Sequence, residues 1–370
     1  MRLMFLNCLI GIVATFTLAV VSARAEIKVG IAGPLSGSAL PSGEQQEIGA
    51  LKAFDHLNDS GGLLGQEIVV TSVDDACEPN QAEAAARQLV SEGVIFVVGH
   101  VCSSASIAAG PIYQEAGIIM ISPASTNPKV TEAGLQNVFR AIGRDDQQGA
   151  IAGDYLADEY PNANIAILHD GQVYGQGLAE YTKLQLNKRG VAEVMFDSYV
   201  PEQTDYNSLI GKLVAANIDV LYVGGYQGDI GIIIRNAKKE LPDLKLISGD
   251  SLVSEDFPVI AGDASIGTYF TFGPDIRLMS EAATVVAAFR DEEAYEPAGY
   301  TLHSYGAVQA WAQAVEQAGS LKLDAVVGAL KTGSFDTVLG KIGFDEKGDV
   351  TGISPFVWYV FESEDYVLAK

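Results

Sequence analysis

Five short segments carry the side chains best suited to holding a small polar molecule. In Gly99-His100-Val101-Cys102-Ser103-Ser104-Ala105-Ser106, serines stand where a helical pattern begins. A serine there presents its hydroxyl and backbone N–H together, beside the positive end of the helix dipole, which suits a carboxylate or phosphate without any cation. The same residue would equally serve as an ordinary helix cap. Ser122-Pro123-Ala124-Ser125-Thr126-Asn127-Pro128 is bracketed by prolines, which leave carbonyls and a threonine hydroxyl free for an ammonium group, or form a polar turn. Tyr174 in His169–Gly177, Tyr226 after Gly224-Gly225, and Asp250 in Ser248-Gly249-Asp250-Ser251 add two phenols and an acid. Together these groups are complementary to a zwitterion.

Competing chemistry is less well supplied. Gly249-Asp250-Ser251-Leu252 spells the nucleophile motif of one esterase family, with Ser251 as the attacking group, but no histidine follows an aspartate by three residues to act as its base. The four histidines, at 56, 100, 169 and 303, are too scattered for a metal site. Asp345-Glu346-Lys347-Gly348-Asp349 resembles a fragment of a calcium loop without the terminal glutamate, and reads as a hairpin turn.

All five segments follow short β-rich runs, and the pattern of those runs implies how they are positioned. Strands are expected at Ile27–Ile31, Ile68–Val73, Ile95–Val98, Ile118–Ile121, Ile165–Leu168, Val194–Tyr199, Val220–Val223 and Lys245–Ile247. Helical patterns fill the intervals, at Glu44–Asn58, Gln81–Glu92, Gly149–Glu159, Gly177–Arg189, Tyr206–Ala216 and Asp229–Lys239. Strands joined by crossover helices make parallel α/β sheets covered on both faces, and such sheets bind ligands at the carboxyl ends of their strands. After Pro274 come helices at Glu281–Arg290, Ser304–Ala318 and Leu323–Thr332, then two hairpin-like strands around Ile342–Phe344 and Pro355–Phe361. Phe356, Trp358, Tyr359 and Phe361 read as core and edge packing.

The 370 residues include 48% hydrophobic and 19% charged, ordinary for a globular protein. Lys and Arg total 23 against 47 Asp and Glu, a net charge of −24, and no basic run exists, which excludes a general nucleic-acid binder. The surplus acid suits a soluble monomer. Arg2, the apolar stretch Leu9–Val21 and Ala23-Arg24-Ala25 form a secretory signal peptide spanning residues 1–25. Its removal takes Arg2 and Arg24 and no acid, so the net charge becomes −26. The remaining chain exceeds what one hydrophobic core usually serves, so two domains are expected. No flexible linker separates them, which favours a cleft with a hinge. Export also leaves Cys77 and Cys102 as a pair in an oxidising compartment. A disulfide between them would contribute roughly 3 kcal/mol. A two-thiol metal or redox site is the alternative, without the short C-x-x-C spacing.

The strings Asp74–Pro79, Gly99–Ser104 and Ile121–Pro128, with Tyr174-Gly175-Gln176-Gly177-Leu178, Gly224-Gly225-Tyr226, Ile260–Ala264 and Phe344–Asp349, resemble the branched-chain amino acid binding proteins of bacterial ABC importers. The resemblance runs through the chain in order after residue 25. It implies a type I periplasmic binding protein: two Rossmann-like lobes, three hinge crossings and closure over one amino acid. The lobes would comprise residues 26–144 with 274–352, and 145–273 with 353–370. By that resemblance Cys77 and Cys102 match a disulfide. Ser103 matches the carboxylate ligand, Ala124 and Thr126 the ammonium ligands, and Tyr174 and Tyr226 the second lobe's contacts. Asp250 stands where leucine and isoleucine binders carry a glutamate. Ser42 replaces a tryptophan of the side-chain pocket, Tyr300 lines it, and Val101 and Cys102 add apolar surface. The resemblance further implies a periplasmic location, an ABC permease as partner and no cofactor. Other aliphatic amino acids, proline and γ-aminobutyrate remain alternatives as ligands, and sensing for a membrane receptor remains an alternative role.

Overall fold

The computed structural model describes residues 26–363 and 365–369; the predicted signal peptide lies outside them. Fifteen strands are described: β1 Ile27–Gly33, β2 Ile68–Asp74, β3 Phe96–Gly99, β4 Ile119–Ser122, β5 Val138–Arg140, β6 Ile165–His169, β7 Met195–Ser198, β8 Val220–Gly224, β9 Lys245–Ser248, β10 Tyr269–Phe272, β11 Phe335–Thr337, β12 Gly340–Phe344, β13 Val350–Thr351, β14 Val357–Phe361 and β15 Tyr366–Leu368. The helices are α1 Leu40–Asp59, α2 Pro79–Glu92, α3 Ser103–Ala116, α4 Lys129–Glu132, α5 Asp145–Glu159, α6 Val173–Lys188, α7 Asn207–Ala215, α8 Gln227–Glu240, α9 Asp256–Ala261, α10 Ala283–Glu293, α11 Thr301–Ala318 and α12 Leu323–Thr332.

The strands form two main sheets, and the chain is a two-lobed α/β protein. One sheet has the order β2-β1-β3-β4-β5 and the other β15-β14-β10-β9-β8-β6-β7. All pairings in the first are parallel. In the second, β14 pairs antiparallel with both β10 and β15, and the other pairings are parallel. Period-two alternation explains the two buried faces. Along β3, Phe96 and Val98 enter one core with Phe54 and Trp311, while Val97 enters the other with Ala105 and Leu89. Phe96 stacks on Trp311 at 4.3 Å, joining the sheet to α11.

The chain passes from the first sheet to the second between β5 and α5, returns after β10, and crosses again between β13 and β14. Arg140 and Arg144 flank the first crossing, and both bond Asp349, just before the third: Arg140 Nε to Oδ1 and Arg144 Nη1 to Oδ2, each at 2.7 Å. Although Asp349 is partly buried, these guanidinium charges hold its carboxyl below the usual range.

Three expectations need correcting. Strands β5 and β10 were not anticipated: Arg140 and Thr271 interrupt their short apolar runs, whereas equally short runs such as Ile95–Val98 and Ile118–Ile121 are unbroken. The two C-terminal strands do not form one hairpin. β12 pairs with β11 and β13, whereas β14 adds to the second sheet beside β10. Several helices also start two to four residues earlier than expected, α5 at Asp145, α6 at Val173 and α8 at Gln227, because polar residues or glycine interrupt the apolar period in their first turns. The Asp345–Asp349 segment is the β12–β13 turn, its Asp345 Oδ1 accepting the N–H groups of Lys347, Gly348 and Asp349. Among the C-terminal aromatics, Phe361 is buried and Trp358 packs on Tyr155 at 4.6 Å.

Candidate binding cleft

The ends of β3 and β4 supply one wall of the cleft. Cys102 is bonded to Cys77 with Cα atoms 5.4 Å apart, which anchors the entry to α3. Ser103 is the first residue of that helix, so its N–H has no acceptor within the helix. Its Oγ accepts the Asn127 N–H at 3.2 Å, which leaves the hydroxyl hydrogen free to donate. The Pro-bracketed loop is held from behind. Ser122 Oγ and Ser125 Oγ donate to the His100 carbonyl at 2.7 and 3.1 Å. The fully buried Arg140 donates through Nη1 to the carbonyls of Ser125 and Asn127, both at 2.9 Å. Between those anchors Thr126 is buried, and its Oγ1 has no partner.

The second sheet supplies the opposing wall. Tyr174 lies in the first turn of α6 and Tyr226 caps α8, their rings 5.2 Å apart. This arrangement depends on Gly175 and Gly224, since a Cβ on Gly175 would stand 2.5 Å from the Gly224 carbonyl oxygen. Asp250 follows β9. It accepts hydrogen bonds from Tyr174 Oη at 2.9 Å, Gln148 Nε2 at 2.8 Å and Tyr300 Oη at 2.8 Å. Burial nevertheless raises its carboxyl above the usual range. Burial, and then the Asp250 charge, push the Tyr174 and Tyr300 phenols well above theirs, so both remain donors.

Of the nine predicted site residues, Ser42, Ser103, Ala124, Tyr174, Tyr226, Asp250 and Tyr300 line one small cavity with Val101 and Ser251. Thr126 and Cys102 are buried beside that wall without lining the cavity. The cavity measures about 10 Å³, room for about one water. A larger cavity of about 760 Å³ lies at the crossings, bounded by Gly143, Gly273, Met279, Ile353 and Phe356, and contains none of the predicted residues. Convergent polar groups, not volume, therefore distinguish the cleft.

Further contacts close it. Asn127 Nδ2 donates to the Val173 carbonyl at 2.8 Å, and Gln45, held by the Tyr300 N–H at its Oε1, donates through Nε2 to the Val253 carbonyl at 3.5 Å. Gln45, Asn127, Arg140, Asp145 and Gln148 were missed by sequence reasoning. An arginine inside the apolar run Val138-Phe139-Arg140 was the one available signal for any of them.

The periplasmic binding protein family model matches residues 26–365. A Leu/Ile/Val-binding protein homolog 1 from Brucella abortus is 43% identical over 342 residues, 92% of each chain. Among solved structures, a leucine-binding protein, LivK, from Thermotoga maritima superposes with a TM-score of 0.85 at 25% identity, covering 93% of this chain and 98% of that one. LivJ from Streptococcus pneumoniae, a branched-chain amino acid transporter substrate-binding protein in complex with isoleucine, gives 0.83 at 25% identity, covering 92% and 98%. With its two parallel-sheet lobes, its three crossings and a match over nearly all its described length, the chain belongs to the periplasmic binding protein family.

Proposed function

We propose that this protein captures a free aliphatic, branched-chain-like amino acid between its lobes, residues 26–144 with 274–352 and 145–273 with 353–370, and delivers it to an ABC permease. In this reading it works as a periplasmic monomer. One observation carries it: hydroxyl and N–H donors at Ser103 face a buried carboxylate, Asp250, across a single cavity. Donors on one wall suit the ligand carboxylate, and the acid on the other suits its ammonium. Ala124 and Thr126 complete the ammonium contacts, Tyr174 and Tyr226 close over the ligand, and Ser42, Tyr300 and Cys102 bound the side-chain pocket. The names of the similar proteins support the same ligand class. A cavity of about 10 Å³ is too small for any amino acid, so the lobes must part for entry.

The way Ser251 is used supports binding rather than catalysis. Its hydroxyl donates to the Gly225 carbonyl at 2.7 Å, and no histidine lines the cavity among the described residues. Without a base the hydroxyl is not activated. The test is a thermal-shift screen of the mature protein against the common amino acids, proline and γ-aminobutyrate. At 100 times Kd a ligand adds about 2.7 kcal/mol to stability. A rise with leucine, isoleucine or valine supports the reading; no rise with any of the compounds overturns it.

A further inference from the structure

Asp250 is not the only acid at the cleft. Asp145, the first residue of α5, is fully buried beside it. Gln148, one turn along, donates through a single Nε2 to Asp145 Oδ1 at 3.2 Å and Asp250 Oδ1 at 2.8 Å. Its Oε1 accepts from Thr271 Oγ1 at 2.6 Å, which fixes the amide with its nitrogen toward both acids. The other Asp145 oxygen, Oδ2, is buried without a well-aligned hydrogen bond; the neighbouring Thr126 hydroxyl, itself otherwise unpartnered, only partly offsets the effect of burial on the carboxyl. The two residues are adjacent, since the Asp145 N–H donates to the Thr126 carbonyl at 2.9 Å.

The groups facing this pair do not neutralise it. Tyr174 and Tyr300 donate to Asp250 as neutral phenols, and the Tyr222 and Tyr226 phenols stand near both acids. Asp146 adds a further negative charge. Arg140 is the cation whose charge acts on Asp145, but its nitrogens are committed to Asp349, Thr131 and the carbonyls of Ser125, Asn127 and Pro128. Two carboxylates sharing one amide in a dry site disfavour double ionisation unless a cation joins them.

We propose that Asp145 and Asp250, bridged by Gln148, act as one acid pair that holds a proton while the cleft is empty and releases it to solvent when a ligand's ammonium group enters. This rests on the amino acid reading of the cleft. The carboxyl O–H bond breaks, the proton goes to water, and the ammonium keeps its own protons, so the pair plus ammonium carries a single negative charge, as the empty pair does, while the ligand carboxylate lies against the Ser103 wall. Burial, and then the Asp250 charge, push the Asp145 carboxyl well above the usual range, in the direction required. Proton release makes binding tighten as pH rises, by at most about tenfold per unit while the empty pair still holds its proton. Asp145 is thus a positioning residue that confines the cleft to ligands carrying a cation.

The test is isothermal titration of the wild-type protein between pH 5 and 7 with whichever of leucine, isoleucine and valine most raises Tm. Buffers of different ionisation enthalpy count the protons exchanged. The expected result is release approaching about one proton per ligand, with affinity rising with pH. In Asp145→Asn, folded by Tm, both the release and the pH dependence should disappear while binding persists. Binding by wild type with buffer-independent heats and a flat pH profile overturns the acid pair and leaves the amino acid reading intact. Equal proton release in Asp145→Asn also overturns it. If none of the three amino acids binds, the underlying reading fails instead. Should Asp145→Asn not fold, the wild-type titration decides alone.

Discussion

Replacing Ser103 by alanine probes the donor wall of the cleft most directly. The Oγ accepts one bond, from Asn127 N–H at 3.2 Å, so its own hydrogen is available to a carboxylate. A hydrogen bond to a charged group contributes about 1.5 to 3 kcal/mol. Loss of that bond in Ser103→Ala weakens binding by roughly 10- to 150-fold, at tenfold per 1.4 kcal/mol. The variant also removes the acceptor of a buried N–H, which costs about 1 to 3 kcal/mol of stability in its own right. Calorimetry of ligand binding and thermal unfolding of the empty protein separate the two effects. The structure requires both Kd and Tm to change. A Kd within twofold of wild type would refute the assignment of Ser103 to the ligand carboxylate, whatever happens to Tm.

Arg140→Met leaves the carbonyls of Ser125 and Asn127 without their donor, while Asp349 keeps Arg144 and Thr131, so urea unfolding should show a loss of about 1 to 3 kcal/mol; an unchanged unfolding midpoint contradicts the anchoring role. Opening the Cys77–Cys102 bond with reductant should cost roughly 3 kcal/mol, and unchanged denaturation midpoints with and without reductant would argue against it. Burial pushes the Asp170 carboxyl up to about 7 from an ordinary value of 3.8. The folded state therefore binds the extra proton between those values, so this group's contribution is complete below about pH 4 and is lost as pH rises to about 7. Asp170→Asn should flatten that part of the stability profile and raise Tm at pH 8 relative to wild type; an unaltered slope between pH 4 and 7 would count against it.

Much of the fold was legible because its signals are local. Each β-rich run of four or more residues, such as Val220–Val223, alternates between two apolar faces, and the intervals between runs match crossover helices. The same logic placed Ser103, Tyr174, Tyr226 and Asp250 after strands, where a parallel sheet collects them. Strands β5 and β10 escaped because Arg140 and Thr271 break their short apolar runs. The partners of β12 and β14 escaped because pairing is decided by sheets assembled from distant parts of the chain.

By itself, then, the sequence determined the α/β class, the excess of acid that excludes nucleic acid, and the uncharged donors with one aspartate at the strand ends. Tertiary structure decided which of those groups meet. Tyr300, more than a hundred residues from Tyr174, donates to the same Asp250 carboxylate. Arg140 and Asp349 find each other across 209 positions of sequence to join two crossings. Asp145 looks like an ordinary first-turn acid until folding removes its water and sets it against Asp250. Local patterns are written by short-range sterics and apolar periodicity, whereas a buried charge acquires its properties only from neighbours that the chain delivers last.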